Sequence, residues 1–286
     1  MTALYRDARK EPFWKKRKGK PVCSAVILGV ILTGCLICPF FLTKEPGYMD
    51  LANCSLAPCR EFLFGTDSMG RDIFAMVWHG GRVSLFIGIA AAAVSAVLAA
   101  VIGAASGLAP ETADFWIMRL TDILLSVPQL LAVVFVQAAW GKADAVSLSV
   151  AIGLTGWMGM AKIIRTKVRQ LRSCEYVAAA RCMGGGFFYI LWKHLVPNLV
   201  SPVFFMAVMN VRNAMLSESA LSFMGIGLPV EVISWGSLLS LGEQAVLSDA
   251  WHAAVIPGAF LAAVLLCMTN LGDYMRKSTD RRERHL

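Results

Sequence analysis

The residues of this sequence best suited to chemistry are polar side chains that interrupt long apolar runs. Asn210, Asn213 and Ser217 fall within about 60° of one another when successive residues advance by about 100° around a helix, so they share one face. Glu218, the next residue after Ser217, is expected near the outer end of that helix. There it would either gate a pathway or form hydrogen bonds at the helix end. Because amides, hydroxyls and carboxylates offer hydrogen bonds, these four residues predict a polar translocation pathway through apolar surroundings.

The sequence predicts neither a catalytic site nor a nucleotide site. Acid, base and nucleophile side chains do not cluster at one depth of the predicted helices. The run Gly184-Gly185-Gly186 lacks the Lys that follows, and the apolar strand that precedes, a phosphate-binding loop. We therefore expect that this chain is not an enzyme, binds no cofactor and does not itself hydrolyse ATP.

Cysteine and histidine raise two further questions. Cys54 and Cys59 enclose four residues and are expected on the outer side, where a disulfide can persist, although free thiols fit equally well. Together with His79 and His252 they could ligate a soft or borderline metal ion. Their spacing resembles no compact metal motif. We predict no metal site and leave the disulfide open.

Composition indicates the class of protein. Hydrophobic residues make up 57% of the 286 residues and charged residues 16%, whereas soluble domains carry about 25% charged residues. The formal net charge of +8 would suit nucleic acid, but so apolar a chain leaves too little polar surface for a soluble nucleic-acid-binding protein. The sequence predicts an all-α polytopic membrane protein that contacts lipid and not nucleic acid.

Six apolar stretches approach the length of about 20 residues that a helix needs to cross a bilayer. Pro128 lies within the third, where a static kink is expected. Charged residues interrupt the third and the fifth. The six predicted transmembrane helices comprise residues 22–42, 83–109, 116–139, 145–161, 199–222 and 251–271.

Orientation follows from the basic residues. Of the 27 Lys and Arg residues, eight lie in residues 1–21, seven in 162–194 and five in 272–286. Residues 43–82 carry four, and residues 225–250 carry none. Because cytoplasmic segments retain an excess of Lys and Arg, we expect both termini in the cytoplasm and residues 43–82 outside it.

Other residues within the predicted spans have expected partners. Arg119 and Asp122, spaced i and i+3, are expected to form an ion pair near the cytoplasmic end of the third span. Arg212 points away from Asn210 and is expected to contact a neighbouring helix or chain rather than the pathway. Gly103 and Gly107 form a small-xxx-small pattern that favours close helix packing.

The segment between the fourth and fifth spans, residues 175–198, reads as helix, glycine break, helix. Alanine-rich residues 175–183 favour a helix, and three glycines from Gly184 end it. The next turns have one apolar face that includes Ile190 and His194, and Pro197 interrupts the chain before span five. Periodicity alone leaves two interpretations open, a helix on lipid headgroups or a knob that fits a groove on a soluble partner.

This segment resembles the EAA loop of bacterial ABC importer permeases, specifically the dipeptide, oligopeptide and nickel permease family. Further blocks resemble the same family in order and spacing, and together they cover most of the chain from Gly65 onward. The matching loop residues are Glu175, Ala178, Ala179, Arg181, Gly184, Ile190, His194, Pro197 and Asn198. The other blocks are Gly65-Thr66-Asp67, Gly70-Arg71-Asp72, Gly81-Arg82, Met118-Arg119, Asp122, Ser126, Pro128, Glu218, Leu221-Ser222-Phe223, Gly225, Gly227 and Ser234-Trp235-Gly236.

The resemblance implies a permease core in residues 83–271 that forms half of a translocation pathway in the bacterial cytoplasmic membrane. It implies a second, similar permease subunit, two cytoplasmic ATPase subunits that carry ATP and Mg²⁺, and an extracytoplasmic solute-binding protein. Residues 175–198 would couple the ATPases to the pathway. Short peptides are the expected cargo, with nickel or a metal chelate as the alternative. A channel or exporter without ATPases would leave the cytoplasmic helix pair unexplained.

Overall fold

The computed structural model describes residues 21–41, 46–141, 144–184, 186, 189, 193, 196–229, 231–246 and 250–283. Across these ranges the regular structure is helical, apart from a single bridge between Thr66 and Asp72, so the all-α prediction is confirmed. A 3-10 turn covers Leu51–Asn53. The α-helices are α1 Val22–Phe41, α2 Ile73–Leu108, α3 Glu111–Leu125, α4 Gln129–Trp140, α5 Ala145–Gly156, α6 Met158–Arg172, α7 Glu175–Cys182, α8 Val196–Phe223, α9 Trp235–Val246 and α10 His252–Glu283.

Helix α2 is the centre of the bundle, where it packs along α5, α6 and α8. Its glycines allow this close approach, as the small-residue pattern predicted. A Cβ atom on Gly103 would lie 2.6 Å from the carbonyl oxygen of Ala161, and one on Gly107 would lie 2.8 Å from Cβ of Val168. Helix α6 therefore rests directly on the backbone of α2.

The start of α2 at Ile73 corrects the predicted start at residue 83. The Asp72 side chain caps the helix by accepting a 2.9 Å hydrogen bond from the backbone N–H of Phe74. His79 and Arg82 lower the hydropathy of these first turns, so a purely apolar criterion places the start too late. The helix extends well beyond the roughly 20 residues that a bilayer requires.

The predicted count of six spans is not confirmed. Among the described residues, three helices are long and apolar enough to cross a membrane, namely Val22–Phe41, Ile73–Leu108 and His252–Arg276. Two bent pairs, α3 with α4 and α5 with α6, would raise the count to five if each pair is one span. The helices support a multi-pass membrane protein with three to five identifiable spans.

The predicted third span is two helices that meet at 90°. Pro128 lacks a backbone N–H and disfavours the helical conformation at Val127, so α3 ends at Leu125 and α4 starts afresh at Gln129. The break is far sharper than the expected kink. The predicted fourth span also divides, because α5 ends at Gly156 and α6 leaves it at 45°.

Arg82 of α2 joins the two helices by donating hydrogen bonds to α1, including one to a carbonyl oxygen that lacks an N–H partner within α1. Pro39 has no N–H to donate to the carbonyl oxygen of Cys35, four residues earlier. The Arg82 Nε donates to that oxygen at 2.8 Å, and its NH2 donates to the carbonyl oxygen of Leu36 at 2.6 Å. Its guanidinium also lies 4.7 Å from the ring centroid of Phe40. One arginine thereby fixes the end of α1 against α2.

The segment before α2 folds back onto the start of α10. A buried ion pair of 2.6 Å joins Arg71 to Asp67. His252 lies 3.1 Å, through Nε2, from the carbonyl oxygen of Thr66. Gly65 has φ +78°, and a Cβ there would lie 2.7 Å from the His252 ring. This block of the sequence is therefore a compact structural unit, and His252 is one of its packing residues.

Candidate functional site

A polar cavity of about 360 Å³ lies where α2, α4, α5, α6 and α8 meet. The residues that line it include amides, hydroxyls, methionines and small side chains, and none of these carries a charge. Its polar lining residues are Ser95, Gln129, Thr155, Asn210 and Asn213. In a bundle whose other interior contacts are mostly apolar, this cavity is the candidate functional site.

The two helix breaks create the cavity. Pro128 and Gln129 lie at the turn between α3 and α4, while Gly156 and Met158 flank the bend between α5 and α6, and all four line the cavity. A Cβ on Gly159 would meet no atom within 4 Å, so the wall there is open space. The departures from straight helices are therefore what positions the polar groups.

The predicted polar stripe on α8 is only half present at the cavity. Asn210 and Asn213 line it, as the helical spacing indicated. Ser217 and Glu218 do not line it, so their place in a pathway stays a prediction that this cavity does not support. Ser217 is on nearly the same face as Asn210 but lies seven residues, or about 10 Å, farther along the helix axis. The spacing predicts a shared face and carries no information on depth along the helix.

Glu218 is instead the acceptor of a buried serine cluster, and its side chain is 0% exposed. Oε1 accepts hydrogen bonds from the hydroxyls of Ser234 at 2.7 Å and Ser222 at 3.0 Å. Oε2 accepts from Ser84 at 3.1 Å and Ser219 at 3.2 Å. The carboxylate thereby joins α2, α8 and the residue before α9. Of the two predicted roles, this geometry matches hydrogen bonding at the helix end.

Arg212 lies beside the cavity wall. Its Nε and NH2 donate to Oδ1 of Asn213 at 3.2 and 2.7 Å, and NH1 donates to Oγ1 of Thr269 on α10 at 3.2 Å. The expected contact with a neighbouring helix is confirmed through Thr269. Arg212 does not itself line the cavity, although its guanidinium donates to the wall residue Asn213.

The predicted ion pair between Arg119 and Asp122 is also wrong. Asp122 pairs with Lys162 on α6, and the Arg119 guanidinium lies over the ring of Phe115 at 5.9 Å. Residues three apart share a helix face, but Lys162 approaches from a different helix and is better placed. The ion pair thus ties α3 to α6.

A second acidic residue at the same α3–α6 contact was not singled out from the sequence. Asp114, whose side chain is 5% exposed, pairs with Arg165 and, at 2.8 Å, with Arg169. The Ser106 hydroxyl of α2 donates to it as well. Both arginines lie in the long basic segment, and the acidic residues of α3 were the available signal for a partner of that segment.

Helix α7 contains the first half of the predicted coupling segment, with Glu175, Ala178, Ala179 and Arg181. Val177 and Ala180 are buried against Ile164 and Val168 of α6, while Glu175 is exposed. Gly184 has φ +85°, which fits the predicted glycine break.

Before residue 196, only residues 186, 189 and 193 of the second half of that segment are described. Ile190 and His194 lie outside the described residues. Pro197 is in the first turn of α8, where its missing N–H costs no helical hydrogen bond. The predicted interruption is therefore the beginning of a helix.

No group of three or more His, Cys, Asp or Glu side chains in the described ranges could hold a metal ion. Cys54 and Cys59 are free thiols. The Cys54 Sγ donates to the carbonyl oxygen of Leu51, and the Cys59 Sγ accepts from the N–H of Phe62. The disulfide that the sequence left open is not formed in this structure.

Sequence reasoning missed three of the five polar lining residues. Ser95 lies in an alanine-rich stretch of α2, and Thr155 lies next to Gly156. Gln129 directly follows Pro128, so it becomes the first residue of a new helix once the chain turns. A proline followed by an amide inside an apolar run was the one usable signal.

Comparison with known proteins identifies the class. Residues 96–285 match the family model described as binding-protein-dependent transport system inner membrane component. The match covers well over half of the chain, so the protein belongs to this family of transport permeases. The resemblance drawn from the loop and its companion blocks is confirmed.

Several curated relatives are similar over most of their length. The oligopeptide transport system permease protein OppC of Bacillus subtilis is 33% identical over 255 residues, which cover 89% of this chain and 83% of the relative. The dipeptide transport system permease protein DppC of the same organism is 31% identical over 93% of this chain and 84% of its own length. The oligopeptide transport system permease protein OppC of Haemophilus influenzae is 34% identical over 99% of this chain and 90% of its own length.

Proposed function

We propose that this chain forms half of the translocation pathway of an ATP-driven importer for short peptides. The observation that carries the proposal is the uncharged cavity lined by Gln129, Asn210 and Asn213 at two helix breaks. A peptide backbone presents amide donors and acceptors, and side-chain amides can pair with both. Neutral lining groups also avoid holding a charged cargo too firmly for release.

Peptide cargo is favoured over nickel by the relatives, since both OppC proteins are named for oligopeptide transport and DppC for dipeptide transport. A nickel or metal-chelate importer remains the alternative cargo class. The cavity supports peptide independently, because amide and hydroxyl oxygens without a carboxylate, thiolate or imidazole are weak ligands for nickel.

The proposed assembly contains a second, homologous permease subunit, two cytoplasmic ATPases that bind ATP and Mg²⁺, and an extracytoplasmic solute-binding protein. Both termini and α7 would face the cytoplasm, as the basic segments indicate. The second permease subunit would supply the other wall of the pathway. This chain contributes no catalytic group to ATP hydrolysis.

Helix α7 offers a route from an ATPase to the cavity. Val177 and Ala180 pack against Ile164 and Val168 of α6, so displacement of α7 would displace α6. The first turn of α6 carries Gly159, which lines the cavity. Motion applied at the exposed side of α7 would therefore reach the pathway wall through one helix.

The experiment that tests the function is uptake by the complex purified through a tag on this chain and placed in lipid vesicles with its binding protein. We expect uptake of labelled tri- and tetrapeptides that requires ATP and ceases when the ATPase lacks its phosphate-loop lysine. Peptide uptake without ATP would support the channel alternative. Nickel uptake with no peptide uptake would contradict the peptide proposal.

A further inference from the structure

Arg212 is a charged residue whose partners are all neutral. Its three hydrogen bonds end on the Asn213 amide oxygen and the Thr269 hydroxyl. It forms no ion pair with any residue that the structure describes, whereas Asp67, Asp114 and Asp122 each pair with a basic side chain. A half-buried guanidinium without a carboxylate is costly in an apolar bundle, so its charge calls for a functional explanation.

The position of Arg212 lets its charge act on the cavity. Asn213, which accepts two of its hydrogen bonds, is itself a cavity wall residue. Among the residues that the structure describes, no side chain that lines the cavity carries a charge to cancel the field of the guanidinium. Charge is screened less in such surroundings than in water. The guanidinium therefore lies one hydrogen bond behind the cavity wall at Asn213, close enough for its positive charge to act on the cavity.

We propose that Arg212 sets the charge preference of the pathway, so that carboxylate-bearing cargo passes more readily than cargo with excess positive charge. The inference rests on the proposed function, because it assumes that cargo crosses this cavity. Gln129 and Asn210 would bind the backbone of any peptide in the same way. Arg212, held beside the wall at Asn213, would instead distinguish peptides by their net charge. Asn213 serves as the positioning residue that holds the guanidinium beside the wall.

The test measures a ratio within one vesicle preparation. The wild-type complex and its binding protein are given equal amounts of isotopically distinct Ala-Asp-Ala and Ala-Lys-Ala. Each uptake rate is corrected for the measured affinity of the binding protein for that peptide. We expect the acidic peptide to be favoured, and Arg212→Met to lower the acidic-to-basic ratio several-fold, because both peptides lose their interaction with one unit charge and the two losses have opposite sign. Arg212→Lys keeps the charge and should keep the ratio.

A second variant leaves Arg212 in place. Thr269→Asp places a carboxylate on α10, where Thr269 accepts the NH1 hydrogen bond of Arg212 and does not line the cavity, so pairing the guanidinium there should also lower the ratio. If Arg212→Met fails to insert into the membrane, the second variant and the corrected wild-type ratio still test the charge preference. A wild-type ratio at or below one, or a ratio unchanged by both variants, would overturn the inference. The second result would mean that another subunit already neutralises Arg212.

The proposed function and the charge preference are overturned by different outcomes. If the wild-type complex takes up neither peptide, the proposed function fails. If it takes up both and the ratio is indifferent to Arg212, the function stands and only the charge preference is lost. The ratio is independent of the number of active complexes, so reduced insertion of a variant does not imitate the effect.

Discussion

The Glu218 carboxylate accepts a 2.7 Å hydrogen bond from the Ser234 hydroxyl, sixteen residues away, and so connects α8 to the residue that precedes α9. The Ser84 hydroxyl of α2 donates to the same carboxylate and accepts a 3.1 Å hydrogen bond from the N–H of Trp235. Three helices thus meet at one fully buried acid. A buried carboxylate is tolerated only when such donors satisfy it.

Replacing Glu218 should destabilise this junction. Glu218→Ala leaves the buried hydroxyls without their acceptor, and we expect a loss of about 1–3 kcal/mol in stability. Glu218→Gln keeps one oxygen acceptor and should cost less. The measurement is thermal unfolding in detergent, followed by tryptophan fluorescence. Glu231→Gln, an exposed acid before α9, is the control. Equal melting temperatures for Glu218→Ala and wild type would contradict a structural role.

Removing both amides from α8 should impair uptake. In the double variant Asn210→Leu, Asn213→Leu, the cavity loses two of its five polar lining residues. A polar cargo that leaves water for the cavity would then have fewer side chains to replace its hydrogen bonds to water. We expect peptide uptake to fall at least about tenfold, in line with about 1.4 kcal/mol of lost interaction. Co-purification of the ATPases should persist.

The matched control introduces leucine on the exposed face of the same helix. Val200 and Phe204 are 59% and 61% exposed, and changing both to Leu leaves the cavity untouched. This control should transport normally. Normal transport by the Asn210 and Asn213 double variant as well would move the pathway elsewhere.

Gly159 provides a direct way to occlude the cavity. Since a Cβ there meets nothing within 4 Å, Gly159→Phe should fit without distorting α6 and fill the space that cargo would use. Peptide uptake should fall severely while thermal stability is retained. Gly29→Phe, on α1 and equally unobstructed, is the control for bulk. Full uptake by the Gly159 variant would indicate that cargo does not cross this cavity.

Gly184 tests the coupling role of the segment after α7. Its φ of +85° strains any residue with a Cβ, although no atom lies within 4 Å of where that Cβ would be. Gly184→Val should therefore change the path of the chain without creating a clash. We expect ATP hydrolysis to continue while uptake per ATP drops several-fold.

Gly186→Val is the comparison for this prediction, because Gly186 has the same open surroundings without the positive φ. It should retain coupling. If the ratio of uptake to ATP hydrolysis is the same in Gly184→Val and wild type, the glycine break has no part in transmission.

Periodicity predicted the features that depend on neighbouring residues of one helix. The shared face of Asn210 and Asn213, the close packing at Gly103 and the glycine end of α7 all follow from spacing and backbone preference. Depth along the helix does not follow from angle, so the spacing could not show that Ser217 lies away from the cavity. Contacts between distant segments were equally inaccessible.

The pair of Lys162 and Asp122 illustrates this limit, because it forms only once α3 and α6 meet across forty positions of sequence. The 45° bend at Trp157 contains no proline, and the flanking Gly156 and Gly159 do not predict a bend by themselves because glycine is frequent in membrane helices. Both features depend on how the bundle assembles. Gln129 became a cavity residue for the same reason, since the 90° turn brings it inward.

The central claim is that a separate ATPase acts on the α7 segment from the cytoplasm. A photoreactive amino acid at Met183, which is 81% exposed, tests this in the intact complex, with the same group at Leu63, 60% exposed before α2, as the reference. We predict a crosslink from Met183 to an ATPase subunit and none from Leu63. An ATPase crosslink from Leu63 and none from Met183 would contradict both the coupling role and the orientation.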